Sequence, residues 1–229
     1  GAVVTLVDAN AIVLGNSTVT GAYTVTATAG GGITEFTGDM LDIMGAATFT
    51  AAIGQSIILD SANIFRNSSV TFTGTGGSLL NVTVNDTGGD TTTGAFALAA
   101  LTLATGGNLD VTAGGAVTQT GALVIPGTTT ISAPSRAVTL SNSSNNFTGA
   151  VSIDALTVDL EDNNANALVL GESNVTGNYL VTAAAAVTQS LGTKLTITGT
   201  TTVSATGQNV TLANTSNDFR DAVIVTGAD

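Results

Sequence analysis

Short segments in which apolar and polar residues alternate recur along almost the whole chain. In Leu109-Asp-Val111, Thr130-Ile-Ser132 and Val138-Thr-Leu140, apolar residues alternate with small polar ones. This period of two is that of a half-buried β-strand, and no segment has the period of an amphipathic helix. Gly, Asn, Ser and Asp separate the segments at short intervals and suit tight corners. The pattern predicts an all-β protein with many short strands and no significant helix.

The same strand sequences recur in the same order. Asn10–Ala27 returns as Asn166–Ala183 in one register, and Val111–Gln119 returns as Val181–Gln189. Duplication accounts for this self-similarity. We therefore expect a single repeat domain over residues 1–229, divided into three imperfect modules at roughly 1–84, 85–156 and 157–229.

A third block makes the three copies explicit. In each copy an asparagine stands two positions before a phenylalanine, and the copies recur at intervals of 82 and 72 residues. We expect the amides to satisfy backbone groups at corners and the rings to fill the core, as a structural ladder. The residues of this ladder are Asn63, Phe65, Asn145, Phe147, Asn217 and Phe219.

Three strands and three corners make a rung, and the chain is long enough for about ten rungs. Stacked roughly 4.8 Å apart, they would form a rod about 50 Å long. The sequence thus favours a right-handed parallel β-helix, or β-solenoid, with the hand taken from the general preference of parallel crossovers. An antiparallel sandwich is the alternative, but a sandwich has no reason to repeat the same strands in the same order three times.

The composition disfavours several kinds of catalysis and several classes of partner. The chain has no His, Cys or Trp, so the commonest general base, the thiolate nucleophile and the soft metal ligands are missing, and we expect no enzyme. Sixteen acidic and four basic residues give a net charge of −12, which disfavours nucleic acid as a partner. No apolar run is long enough for a transmembrane helix, so membrane insertion is not expected. The lack of cysteine is compatible with export.

Clusters of carboxylates are the candidate metal ligands, because calcium prefers several carboxylate oxygens placed close together. Such charges are equally compatible with solvated corners, and we expect no other cofactor. The candidates are Asp86, Asp90, Asp154, Asp159, Glu161 and Asp162.

The tyrosines and the threonines offer two further candidate surfaces. Tyr23 and Tyr179 stand at equivalent repeat positions and could stack on sugars, although core packing is the favoured interpretation. Threonine runs such as Thr196–Thr202 could form an ice-binding array only if one face carried threonine in every rung. Because the threonine positions differ between segments, ordinary β-propensity is the preferred explanation.

The repeats resemble a known group of proteins. The stretch Asn217–Val225, its sibling Asn145–Ile153, the block Asn166–Gly171 and the Ala-Val-Thr-Gln segments are similar to the repeat region of very large filamentous-haemagglutinin-type and autotransporter-like bacterial exoproteins, which are adhesins. The resemblance implies a right-handed parallel β-helix located outside the cell or on the bacterial cell surface.

The two ends of the sequence also match. Joining residues 217–229 to residues 1–15 reproduces the internal run 145–171 almost segment for segment. We therefore expect an extracellular structural and adhesive rod segment, stacked on flanking repeats or on other copies of itself, with host or matrix glycans as further partners. The alternatives are a self-assembling filament or matrix protomer and a polysaccharide-binding or polysaccharide-cleaving β-helix.

Overall fold

A computed structural model describes residues 1–66, 69–88 and 94–228 of the chain. The described residues contain strands and turns and no helix. The strands are β1 (Val4–Asp8), β2 (Ile12–Leu14), β3 (Ser17–Val19), β4 (Tyr23–Ala27), β5 (Ile33–Glu35), β6 (Leu41–Ile43), β7 (Ala47–Ala52), β8 (Ile57–Leu59), β9 (Ile64–Phe65), β10 (Ser69–Thr75), β11 (Val82–Asp86), β12 (Phe96–Leu98), β13 (Leu101–Thr102), β14 (Leu109–Ala113), β15 (Val117–Gln119), β16 (Leu123–Ile125), β17 (Thr129–Leu140), β18 (Asn146–Phe147), β19 (Ala150–Asp162), β20 (Leu168–Leu170), β21 (Ser173–Val175), β22 (Tyr179–Ala183), β23 (Val187–Gln189), β24 (Leu195–Ile197), β25 (Thr201–Ser204), β26 (Val210–Thr211), β27 (Asp218–Phe219) and β28 (Val223–Thr226).

These strands stack in parallel into a β-solenoid of about ten turns. One stack runs β1-β4-β7-β10-β12-β15, continues through the second halves of β17 and β19, and ends β22-β25-β28. A second stack runs β2-β5-β8-β11-β14, continues through the first halves of β17 and β19, and ends β20-β23-β26. The parallel β-helix expected from the sequence is therefore confirmed, and its right-handed sense stays a prediction.

Shorter strands line the remaining side of each turn. They form the sheets β3-β6-β9 and β13-β16-β18, while β21-β24-β27 continues from β19. The long strands β17 and β19 turn a corner and serve both main stacks. In β17 the corner coincides with Ser135, whose φ of 64° is the one positive value at a non-glycine position among the described residues.

The length of chain in one turn varies along the rod. A short turn separates Val4 from its stacked partner Tyr23, and a much longer one separates Val70 from Leu98. A single rung length therefore holds only for part of the rod, because corners accept insertions that stacked strands do not.

Each repeat advances the chain by about three and a half turns. Val4 is followed in its stack by Tyr23, Ala47 and Val70, and the strand that repeats β1 then begins with Val82 in the other stack. The third repeat returns to the first stack, where Val158 pairs with Tyr179 as Val4 pairs with Tyr23. Equivalent strands of successive repeats therefore lie in different stacks.

The interior is one continuous aliphatic column with a few aromatic rings. In β4, β14 and β22 the residues at alternate positions are buried and those between them face outward. Phe49 contacts Tyr23 edge to face at 6.0 Å and stacks on Phe72 at 5.9 Å between ring centroids. Within the described part of the chain, no helix is long and apolar enough to cross a membrane.

Candidate functional site

The most elaborate polar contacts of the rod surround Asn145, which is buried. Its Oδ1 accepts the backbone N–H of Leu123 at 2.9 Å, and its Nδ2 donates to the carbonyl oxygens of Leu140 at 3.0 Å and Glu161 at 3.1 Å. The amide therefore bonds to three neighbouring turns at once. Such a side chain holds turns together where the corner interrupts the regular backbone ladder.

The asparagines at 63 and 217 repeat this arrangement. Asn63 Oδ1 accepts from the N–H of Leu41 at 2.8 Å, and Asn217 Oδ1 accepts from the N–H of Leu195 at 2.9 Å. Asn63 is buried like Asn145, whereas Asn217, near the last turn, is half-buried. We refer to Asn63, Asn145 and Asn217 as the corner asparagines.

Each corner asparagine also meets the last residue of a Val-Thr-Gln or Ile-Thr-Glu strand. Two of these partners are glutamines, and their amides exchange hydrogen bonds with the asparagine in both directions. The pairs are Gln119 with Asn145 at 2.8 and 2.9 Å, Gln189 with Asn217 at 2.8 Å in both directions, and Glu35 with Asn63 at 3.1 Å in one direction.

Glu35 is the odd member of this set. Its Oε2 accepts from Asn63 Nδ2 at 3.1 Å and from the N–H of Ser61 at 3.2 Å, while its Oε1 is buried without a hydrogen-bond partner among the described residues. Burial raises the pKa of the Glu35 carboxyl, and the two hydrogen bonds oppose this rise. A carboxylate stands where the other two repeats have an amide donor.

We expect Glu35→Gln to stabilise the fold by about 1 kcal/mol at neutral pH, because the new amide can donate to Asn63 as Gln119 does to Asn145. Because folding raises the pKa of Glu35, its protonated carboxyl contributes to the stability of the fold, and this contribution is lost as the pH rises through the folded-state pKa. The gain should therefore be full at neutral pH and shrink under acidic conditions, where protonated Glu35 itself becomes a donor. Urea unfolding at several pH values measures it.

The control is Glu172→Gln, which removes one charge from an exposed position. If Glu35→Gln is no more stable than Glu172→Gln at neutral pH, or if its gain does not depend on pH, the assignment of Oε1 as an unsatisfied acceptor is wrong.

The phenylalanines that follow the corner asparagines are core residues with a polar contact of their own. Phe65 and Phe147 are buried, and Phe219 is half-buried near the last turn. The N–H of Phe65 donates to Asp86 Oδ1 and that of Phe147 to Asp162 Oδ1, each at 2.9 Å. Burial raises the pKa of Asp86 to about 6 and also raises that of Asp162. These two carboxylates thus cap backbone groups of the preceding turn.

The other metal candidates lie apart from these two. Asp154, Asp159 and Glu161 occupy half-buried, outward positions of β19, and Asp154 Oδ1 accepts from Asn174 Nδ2 at 3.3 Å. Asp90 falls outside the described residues. Within the described ranges, no three acidic side chains converge as a metal site would require. Calcium binding stays a prediction.

One shallow groove does bring two carboxylates together. Asp154 and Glu172 line a space of about 220 Å³ with Ser152 and Asn174. A wider groove of about 430 Å³, on the side of the rod near Leu191, is lined by neutral side chains. The first groove is therefore the place where polysaccharide chemistry would be sought.

The two tyrosines are buried in the core, so neither ring presents a face to a sugar. The core packing that the sequence favours is confirmed for both tyrosines. Tyr23 contacts Phe49 edge to face, and Tyr179 pairs with Val158 on one side and Thr201 on the other.

The threonines are more regular than their sequence positions indicate. Thr5, Thr24, Thr48 and Thr71 are paired in succession on the outer face of the first stack. A second row on the same face pairs Val7, Thr26, Thr50 and Thr73. Threonines therefore align over these four turns, whereas an ice-binding array would need threonine on this face in every turn. Farther along the stack the same face carries Asp159 and Leu180, so the array does not extend over the whole rod.

Sequence reasoning missed two roles that the structure makes plain. The pairing of Gln119, Gln189 and Glu35 with the corner asparagines could have been found from their shared place at the end of a repeated strand. The capping role of Asp86 and Asp162 could not, because the two aspartates follow their phenylalanines at different distances along the chain.

Comparison with known proteins identifies the repeats. A family model described as repeats of unknown function, DUF5649, matches three times, at residues 1–71, 68–154 and 155–226. No curated protein and no solved structure gives a significant match. The three matches cover nearly the whole chain and show a repeat protein.

Proposed function

We propose that this chain, which belongs to the DUF5649 family of repeats of unknown function, is a stiff structural segment of a rod that extends from a bacterial cell. The observation that carries the proposal is the unbroken parallel ladder from β1 to β28, with one core beneath it. In such a fold each turn contacts mainly its neighbours, so length scales with the number of turns. Ten turns give about 50 Å of reach.

An extracellular or cell-surface location is part of the proposal. It is supported by the resemblance of the repeats to filamentous-haemagglutinin-type adhesins and by the absence of cysteine in the sequence. A net charge of −12 would keep such rods soluble and mutually repelling at low ionic strength. The rod would be non-catalytic and would present its outer faces to host or matrix glycans.

Two other functions are supported by particular observations. The parallel stacking of one repeat on the next, as where Val158 lies opposite Val138, favours a self-assembling filament or matrix protomer. The groove with Asp154 and Glu172 favours a polysaccharide-binding or polysaccharide-cleaving surface. Glycosidases use paired carboxylates, but general acid–base work on a polymer also needs a cleft that holds the substrate. This groove is small and shallow, so we rank it below the structural rod.

Antibody labelling of intact source cells tests the proposal. We expect antibodies raised against the purified chain to label the surface of non-permeabilised cells, while antibodies against a cytoplasmic protein label only permeabilised ones. Labelling that requires permeabilisation would overturn the extracellular assignment. Electron microscopy of the purified chain then checks the shape, and particles other than short rods would overturn the structural role.

A further inference from the structure

One surface turn occurs twice in the same corner of the rod, in the first and third repeats. Residues 36–39 connect β5 to β6 and are called the Phe36 turn here, and residues 190–193 connect β23 to β24 and are called the Leu191 turn. In each turn the N–H of the fourth residue donates to the carbonyl oxygen of the first, and the third residue is a glycine with positive φ, Gly38 or Gly192. Glycine adopts this conformation without strain, so both turns have a defined shape.

The two turns share a corner because the first and third repeats are in phase. They follow β5 and β23, which belong to the same stack and are seven turns apart. Seven spacings between stacked strands separate the two turns by about 34 Å along the rod. The second repeat is out of phase and has two residues fewer between Gln119 and Leu123, so it forms no such turn.

Each turn presents an apolar side chain that the chain itself leaves uncovered. Phe36 is 62% exposed, although every other aromatic side chain of the described residues is buried or half-buried, and Leu191 is fully exposed. The backbone of both turns is anchored to the rod. The N–H of Phe36 donates to the carbonyl oxygen of Leu14 at 3.0 Å, and Gln189 Nε2 donates to that of Thr193 at 3.1 Å. Both apolar side chains are therefore held in water at defined positions, available for contact with a partner.

The surroundings of the two turns have opposite character. Three acidic residues border the Phe36 turn, and neutral residues stand at the same three positions around the Leu191 turn. The pairs are Glu35 with Gln189, Asp39 with Thr193, and Asp60 with Asn214. Lys194 stands where the first repeat has Met40, and among the described residues it makes no ion pair. The Phe36 turn is therefore acidic, whereas the Leu191 turn is neutral to basic.

The groove of about 430 Å³ lies beside the Leu191 turn. Its lining includes Ser190 and Leu191 from the turn and Ala213 and Thr215 from the next corner, all of them uncharged. Ser190 stands at the position of Phe36 in the first repeat, so a small side chain replaces a ring there. The groove is large enough to hold an aromatic side chain. One turn thus offers an exposed ring with an acidic border, and its duplicate offers a neutral groove with a lysine beside it.

We propose that two copies of this chain lie side by side in opposite directions, with Phe36 of each copy inserted into the groove beside Leu191 of the other. The acidic border of the Phe36 turn then faces Lys194 of the second copy, and this complementarity orients the contact. The inference goes beyond the proposed function, because it concerns a contact between two rods rather than the reach of one.

The antiparallel arrangement follows from the positions of the two turns. Both lie in one corner at a fixed separation, so two antiparallel rods bring both pairs of turns together at once. Parallel rods in register would place one acidic turn against the other. Parallel rods shifted by about 34 Å would leave one turn of each copy unoccupied. The antiparallel pair is therefore a closed dimer, and its two small contacts reinforce each other.

Sedimentation velocity across a concentration series tests the dimer. In roughly 0.15 M salt a Debye length of about 8 Å screens the repulsion between acidic rods but not the close contacts. We expect the wild-type chain to dimerise only at high concentration, because the contacts are small, and Phe36→Ala to weaken dimerisation at least about tenfold. Ile53→Ala removes a side chain that is 60% exposed at another corner and should dimerise like wild type.

A ring placed in the groove tests the other half of the contact. Ala213→Trp fills the groove and should weaken dimerisation as strongly as Phe36→Ala. Ala29→Trp places the same ring at an exposed corner away from both turns and should have no effect.

A charge exchange tests the complementarity. Lys194→Glu alone should weaken dimerisation, because it brings a further carboxylate against the acidic border of the Phe36 turn. Adding Asp60→Lys to the same chain exchanges the two charges and should restore it. Circular dichroism checks that every variant is folded.

Cross-linking tests the orientation, since the natural chain has no cysteine. Thr37 lies beside Phe36 in the turn, and Thr215 lines the groove. A chain that carries both Thr37→Cys and Thr215→Cys should give covalent dimers and nothing longer with a short thiol-reactive cross-linker. Neither single variant should cross-link alone, whereas an equimolar mixture of the two should.

Three results would overturn the inference. These are a wild-type chain that stays monomeric up to about millimolar concentration, dimerisation that Phe36→Ala leaves unchanged, and a ladder of cross-linked products longer than dimers from the double-cysteine chain.

Discussion

Replacing Asn145 by aspartate should destabilise the rod by about 3 to 5 kcal/mol at neutral pH, the range found when a buried charge loses compensation. The side chains have the same shape, but a carboxylate cannot donate. The carbonyl oxygens of Leu140 and Glu161 would lose their Nδ2 partner, and a charge would enter a buried position. Urea unfolding followed by circular dichroism measures the change.

Two matched substitutions serve as controls for this prediction. Asn217→Asp alters the same kind of contact at a half-buried position and should cost less. Asn166→Asp adds the same charge at an exposed position and should change stability by less than about 0.5 kcal/mol. Equal losses at positions 145 and 166 would contradict the assignment of the corner asparagines as links between turns.

Truncating Phe147 to alanine should cost about 3 to 5 kcal/mol, because the ring is fully buried and a narrow solenoid core can collapse only partly around the cavity. The backbone N–H would remain available to Asp162, so the loss reports the packing of the ring. Thermal and urea unfolding of the purified variant measure it.

The chain supplies a control for the same chemical change. Phe36 is 62% exposed, and Phe36→Ala should leave the unfolding midpoint nearly unchanged. A loss at Phe147 as small as that at Phe36 would mean that the ring does not fill the core.

Much of this fold could be predicted because a solenoid repeats its local rules. The alternation of apolar and polar residues predicts the strands. The three copies of an asparagine two positions before a phenylalanine, such as Asn145 and Phe147, predict the stacking. The advance of three and a half turns per repeat could not be predicted, since it depends on the length of every corner, and equivalent corners differ: one lies within the continuous strand β19 and the other separates β10 from β11. A difference of a few corner residues decides this, and corners tolerate many lengths.

The polar contacts were less predictable than the core. The sequence predicts that Asn145 satisfies backbone groups, but its exchange of hydrogen bonds with Gln119 joins two residues that are far apart in sequence. The sequence places Asp162 among the candidate metal ligands because it lies beside Glu161. In the structure β19 ends there, so Asp162 turns to the N–H of Phe147 while Glu161 faces outward. Neighbours in a strand face opposite sides, and a carboxylate cluster in sequence is separated by the fold.

The alignment of Thr24 with Thr48 also depends on the fold, because it is set by the length of the turn between them. These two threonines are separated by one full turn of the solenoid in that repeat, and other turns have other lengths. Because turn length varies along the rod, side chains that are irregular in sequence can still form a regular surface.

Engineered cysteine pairs test the parallel, in-register stack most directly, since the natural chain has no cysteine. Leu180 and Thr202 are paired on the outer face of adjacent turns, and strands this close bring Cα atoms within disulfide range. We expect the double substitution Leu180→Cys and Thr202→Cys to form an intramolecular disulfide on mild oxidation. The slipped pair Leu180→Cys with Ser204→Cys should form little. Efficient cross-linking of the slipped pair, or none of the matched pair, would contradict the solenoid.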